Sequence, residues 1–158
     1  MKRFAIVALF ACSSVPESRH YHLVVSTDFT PDQSNAIFDA ALEWQQRSGG
    51  YVTFDGDPSS FDAVRFDPAT TEELTLEFGG GTIGLEVAQG RSAHIQILGG
   101  LDPRTFHQTA LHELGHAIGL KHLTPGNIMC GDSTCATLDV RCGDLKQLTG
   151  KDVAGCIL

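Results

Sequence analysis

Apolar residues recur at two spacings along this chain, and the spacings divide it into elements. Alternation or short apolar runs predict strands at "YHLVVST" (Tyr21 to Thr27), "YVTFD" (Tyr51 to Asp55) and "DAVRF" (Asp62 to Phe66). Two more strands are predicted at "GTIGLEVAQ" (Gly81 to Gln89) and "SAHIQIL" (Ser92 to Leu98). Between the first two strands the period changes. Ile37, Ala41, Leu42 and Trp44 recur at helical spacing, Pro31 suits a first turn, and Gly49-Gly50 closes the segment. That predicts an amphipathic helix from Asp32 to Arg47. Asp102-Pro103 is a cap and first-turn pair that opens a second long helix. The last 36 residues are rich in glycine and cysteine and carry one short helix expected to start near Thr149. The order is strand, helix, four strands, helix, irregular tail. It describes an α/β (α+β) domain with a long helix laid on the face of a sheet.

The second helix carries "HELGHAIGLKH", from His112 to His122. His112 and His116 are four apart, so on a helix they share one face, one turn apart, and can share a metal ion. Glu113 is turned away from that ligand pair, yet can reach a water at the ion and act as general base. His122 would lie about 9 Å beyond His116 on a continuous helix. Metal–nitrogen bonds to zinc are about 2 Å, so the helix must stop and turn. Gly119 permits the stop through the left-handed conformation that ends helices. Three histidines leave a fourth position open, as in catalytic zinc sites.

Composition narrows the class. With 158 residues, 42% of them hydrophobic and 19% charged, the chain reads as one folded domain. A net charge of −8 opposes nucleic-acid binding, which needs a basic face. "MKRFAIVALFAC" has a basic start, eight apolar residues from Phe4 to Ala11, and then Cys12. This is an export signal, too short to span a bilayer. Its small residue before cysteine resembles the lipobox of bacterial lipoproteins, in which the cysteine is lipidated. Ordinary signal cleavage and an uncleaved N-terminus are the alternatives. "SSVPES" then reads as a tether. Setting Cys12 aside leaves Cys130, Cys135, Cys142 and Cys156. Four cysteines in an exported chain predict two disulfides with three connectivities. Proximity favours Cys130–Cys135 and Cys142–Cys156. A thiolate zinc site is the competing reading, opposed by export and by the absence of a CxxC pair.

The motif from His112 to His122 is HExxHxxGxxH without a mismatch, and Met129 follows seven residues after the last histidine. It resembles the metzincin clan of zinc metalloproteases, in which such a methionine sits in a tight turn beneath the metal. The resemblance implies that His112, His116 and His122 bind one catalytic zinc, that Glu113 is the base, that Gly119 makes the turn, and that Met129 forms the Met-turn. It implies a twisted, mixed five-stranded sheet with a backing helix, an active-site helix and one antiparallel edge strand. That edge strand, "GTIGLEVAQ", would pair with extended polypeptide substrate. Leu123 follows the third histidine where matrix metalloprotease-like members have serine and reprolysin-like members aspartate. No tyrosine follows Met129, and the ligand set for a second, structural zinc is incomplete around His94. The subfamily therefore stays open.

Other candidates have plainer readings. His20 and His22 alternate on a strand and form a surface pair; His94 is a strand residue near the cleft; His107 is a solvated or capping residue. Asp55 and Asp57 resemble the start of a calcium loop, but Ser60 and Phe66 stand where glycine and glutamate are needed, so calcium is not expected. Trp44 is expected between the backing helix and the sheet. The expected organisation is a signal peptide over 1–11, a tether over 12–19 and a catalytic domain over 20–158, with subdomains 20–119 and 120–158, the latter small, irregular and disulfide-bonded. The expected function is a monomeric zinc endopeptidase. It would be exported to the bacterial cell envelope and held to a membrane (the outer one by resemblance) through a lipid, or else secreted. The alternative is an exported zinc-binding or interaction protein on the same fold, without general proteolytic activity.

Overall fold

The computed structural model describes residues 18–56, 62–78, 84–89, 92–131 and 137–153. Five strands and four helices follow in chain order: β1 (Arg19–Val25), α1 (Pro31–Arg47), β2 (Val52–Asp55), β3 (Ala63–Ala69), α2 (Thr71–Phe78), β4 (Gly84–Gln89), β5 (Ser92–Leu98), α3 (Pro103–Ala117) and α4 (Cys142–Thr149). Among these residues no helix is long and apolar enough to cross a membrane.

The strands form one sheet in the order β2-β1-β3-β5-β4. β1 pairs in parallel with β2 and β3, and β3 in parallel with β5. β4 alone is antiparallel, in register Leu85 with Gln96 and Val87 with His94, and it forms one edge. The mixed sheet with an antiparallel edge strand is the arrangement the resemblance implied.

Period-two alternation decides which face is covered. Tyr21 and Leu23, Val64 and Phe66, and Ala93, Ile95 and Ile97 are buried in one core with Ile37, Ala41 and Trp44 of α1 and Phe106, Leu111 and Leu114 of α3. His20, His22, Arg65, Asp67, His94 and Gln96 alternate with them and lie on the opposite face. Trp44 is fully buried and donates its indole N–H to the Leu111 carbonyl at 2.9 Å. It thus ties the backing helix to the histidine helix, a more specific role than a wedge between helix and sheet.

Local signals explain the helix starts. Thr30 and Gln33 make a reciprocal capping box ahead of Pro31. Asp102 accepts from the Arg104 and Thr105 amides at 3.1 Å each and starts α3. α2 was not anticipated, although Thr70 and Glu73 cap it: the Thr70 amide donates to Glu73 at 2.7 Å, and Thr70 Oγ1 accepts from the Glu73 amide at 3.2 Å. The last helix ends, rather than begins, at Thr149. Its C-cap, Gly150, is left-handed at φ 68° and closes the helix where one was expected to open.

Candidate metal centre

α3 presents His112 and His116 on adjacent turns, and the chain then reverses to bring His122 beside them. The helix stops at Ile118, and Gly119 at φ 99° supplies the left-handed residue. The Gly119 amide bonds the His116 carbonyl at 2.8 Å and the Leu120 amide reaches back to the Gly115 carbonyl at 2.9 Å. This is the double closure of a glycine-ended helix.

The three Nε2 atoms converge. His112 and His116 approach to 3.1 Å, His116 and His122 to 3.1 Å, and His112 and His122 to 3.3 Å. The opposite nitrogens of the first two are occupied. Nδ1 of His112 donates to the Ile128 carbonyl at 2.8 Å, and Nδ1 of His116 to the Leu120 carbonyl at 2.9 Å. With the proton on Nδ1, each Nε2 offers a bare lone pair. Two lone pairs at 3.1 Å repel unless a cation lies between them. Four-coordinate zinc with bonds of about 2.0–2.1 Å separates its ligand atoms by about 3.3 Å, so the donor set fits zinc in element, number and spacing. Burial, reinforced by the neighbouring imidazoles, pushes His112 down to about 4 against the pull of the Ile128 carbonyl. Burial lowers His116 as well. Both are therefore neutral, as ligands must be, at neutral pH.

Glu113 is buried, at 7% exposure, among the residues that face β4. A Cβ on Gly84, the first residue of that edge strand, would lie 3.1 Å from Glu113 Oε1 and 2.4 Å from Thr109 Cγ2. The carboxyl group thus lies between the histidine helix and the edge strand.

Met129 is fully buried beneath α3. A Cβ on Gly115 would fall 2.1 Å from its sulfur and 3.2 Å from Trp44 Cζ2, so only glycine lets methionine, tryptophan and helix meet there. Gly115→Ala forces this contact apart. Overpacking of a closed core costs about 1–3 kcal/mol, against about 1 kcal/mol gained from alanine's helix propensity. The variant is expected to lose stability in urea unfolding; a gain would show that Met129 yields freely.

The turn carrying Met129 is fastened on both sides. The Leu123 amide donates to the Met129 carbonyl at 2.7 Å, which ties the residue after His122 to the methionine. From below, the fully buried Asp144 of α4 accepts from the amides of Ile128 at 3.1 Å, Met129 at 3.2 Å and Arg141 at 2.8 Å. Sequence reasoning passed over Asp144. Its one local signal was its place at the third position of a helix.

Among the described residues His112, His116 and His122 are the one group of three or more candidate ligands that converge. His94 is not near the cleft: it lies on the other sheet face, where its Nε2 meets Asp67 at 2.8 Å beside the Arg65–Asp67 pair. His20 bonds Thr53 Oγ1 through Nδ1, and His107 is half-buried on α3. Asp57 and Ser60 of the acidic loop lie outside the described residues. So do Cys12, Cys135 and Cys156; Cys130 and Cys142 are each disulfide-bonded.

Comparison with known proteins gives this geometry a family. No curated protein matches the chain in sequence. In fold it is similar to archaemetzincin from Methanopyrus kandleri, with TM-score 0.58 and 15% identity over 86% of this chain and 96% of that one. It is also similar to metalloproteinase-II from Bacteroides fragilis, with TM-score 0.52 and 13% identity over 85% of this chain and 53% of that one. High choriolytic enzyme 1, a hatching enzyme zinc-protease from Oryzias latipes (medaka fish), matches at TM-score 0.48 and 17% identity over 65% of this chain and 44% of its own. The chain spans about half the length of the latter two. A sequence model of the matrixins covers residues 17–155, from the first strand past α4, and so answers the subfamily question that Leu123 left open. By that match the chain belongs to the matrixin family.

Proposed function

We propose that this chain is a zinc-dependent endopeptidase in which Glu113 is the general base. The observation that carries the reading is the convergence of three Nε2 lone pairs whose partner nitrogens are held by carbonyls. His112, His116 and His122 would hold one zinc ion, with Gly119 shaping the turn and Met129 packed below. When bound, zinc supplies Lewis acidity at the position that three imidazoles leave open. Glu113 takes a proton from the attacking water and returns it to the leaving amine. Its low exposure suits that task, because a dry carboxylate is a stronger base than a solvated one.

The substrate would be a polypeptide in extended form. Among the described residues no strand lies beside the outer edge of β4, and Gly84 at its start lies against Glu113. A peptide added along that edge would pass the base through main-chain pairing. We further propose that Cys130 pairs with Cys135 and Cys142 with Cys156, stapling the C-terminal subdomain over 120–158 within itself, after an N-terminal subdomain over 20–119. Residues 1–11 would be an export signal and Cys12 a lipid anchor to the cell envelope, the chain acting as a monomer.

The test is a form beginning at Ser13, assayed for metal content and for cleavage of a quenched peptide library and an unfolded protein. One zinc per chain is expected, with cleavage abolished by a chelator and restored by added zinc. One zinc per chain with no cleavage of either substrate would instead support an exported zinc-binding protein.

A further inference from the structure

Two of the three ligands are placed by the helix, but His122 is not. It is exposed and follows a reversal of five residues, 117–121, so its position depends on what holds that reversal before it, as well as on the Leu123–Met129 bond after it. Hydrogen bonds from two distant elements do so. Arg19, the first residue of β1, donates from Nη1 to the Ile118 carbonyl at 3.0 Å, across 99 residues of chain. The same nitrogen lies 3.5 Å from where a Cβ on Gly119 would stand. The guanidinium is anchored on its other side, 6.0 Å from the Tyr51 ring centre, and Arg19's own amide bonds the Tyr51 carbonyl at 2.9 Å. At the far end of the reversal, Gln147 of α4 brackets Lys121. Its Oε1 accepts from the Lys121 amide at 2.5 Å and its Nε2 donates to the Lys121 carbonyl at 3.0 Å. Between the two, His116 itself bonds the Leu120 carbonyl.

From this bracketing we infer that Arg19 and Gln147 are positioning residues that clamp the two ends of the reversal and so fix His122 against the helical pair. The inference rests on the zinc reading above. The two residues touch neither the metal nor substrate. They act on the backbone that delivers the third ligand, from outside the motif and from opposite sides of it. Arg19 is suited to its end for a second reason: a cation at a helix C-terminus meets carbonyls with no partner in the helix. Gln147 is suited to its own because one amide side chain offers both a donor and an acceptor to a single residue. Loss of either clamp frees His122 to leave the metal first, while His112 and His116 remain in place.

The measurement is the rate at which the zinc-loaded chain releases zinc to a chelating dye, well below the unfolding temperature. Arg19→Met and Gln147→Leu keep side-chain bulk while deleting the hydrogen bonds. Each is expected to speed release by about 10-fold or more, the range in which outer partners of metal ligands act. Arg19→Lys, which can still donate to the Ile118 carbonyl, should recover part of the loss. Thr70→Ala, which removes the cap of α2 away from the site, controls for general loosening and should release zinc at the wild-type rate. Equal release from wild type, Arg19→Met and Gln147→Leu overturns the clamp while leaving the zinc reading intact. Equal acceleration by Thr70→Ala overturns it too, by reducing the effect to global stability. Failure of the wild type to take up zinc removes the zinc reading itself, and the clamp with it.

Discussion

Glu113→Gln is expected to keep its zinc and lose its peptidase activity. The substitution preserves shape and lets the buried side chain keep hydrogen bonds, so the helix and its two histidines should be undisturbed. What disappears is the ability to take a proton. General-base catalysis by a positioned carboxylate accounts for about 10²–10⁴ in rate, and the fall should appear in kcat with little change in KM, because the group acts in the transition state. The decisive comparison is metal content against turnover. A variant with one zinc per chain and a rate down by a factor in that range identifies Glu113 as the base. A variant with full zinc and wild-type turnover would transfer the role elsewhere. Gly84→Val gives an independent check of the same geometry. Its side chain would enter the space beside Glu113 Oε1 and Thr109, and it should lower kcat without removing the carboxyl group.

The metal ligands were legible because their geometry is local. A spacing of four on a helix, a glycine, and a third histidine too far for that helix together specify a reversal, and the reversal is found at Gly119. The antiparallel edge strand came through the family resemblance, since pairing direction is a tertiary property. α2 could have been read from Thr70 and Glu73, whose spacing is that of a capping box. The face of His94 was likewise open to reading. It alternates with Ala93 and Ile95, both buried, and that alternation assigns it to the side away from the helices. Arg19 and Gln147 were not readable in this way. Each acts on one backbone segment that only the finished fold brings within reach, and no pattern in their own neighbourhood marks them. Gly115 was hidden for a different reason. Within the histidine motif it occupies a spacer position, and the need for glycine there comes from a sulfur and an indole ring approaching from elsewhere.

Asp144→Ala should produce a large loss of stability. Three amides, those of Ile128, Met129 and Arg141, point at one fully buried carboxyl group. Deleting it leaves the buried Ile128 and Met129 amides without an acceptor, at about 1–3 kcal/mol each, and frees the part-buried Arg141 amide, so a loss of about 2 kcal/mol or more is expected in urea unfolding. Asp144→Asn is nearly the same size but presents an NH2 group to at least one amide, so it should recover only part of the loss. The effect should also reach the metal. The Ile128 peptide donates its N–H to Asp144 and accepts at its carbonyl from His112 Nδ1, so a Met-turn released from below loosens the ligand above it, and zinc affinity should fall about 10–100-fold. The acid dependence has a definite sign. Burial outweighs the three amide bonds and holds Asp144 above its ordinary value of 3.8. A carboxyl group raised by folding binds its proton more tightly in the native state. Its contribution is therefore fully present below the unfolded-chain value and is lost as pH rises through the raised one. The deficit of Asp144→Ala relative to wild type, measured on metal-free protein, should accordingly be larger at the acid end of that window than at neutral pH. A deficit that instead grew with rising pH would mean that the amides, and not burial, dominate the carboxyl group, and that Asp144 is held as a strong anion beneath the metal.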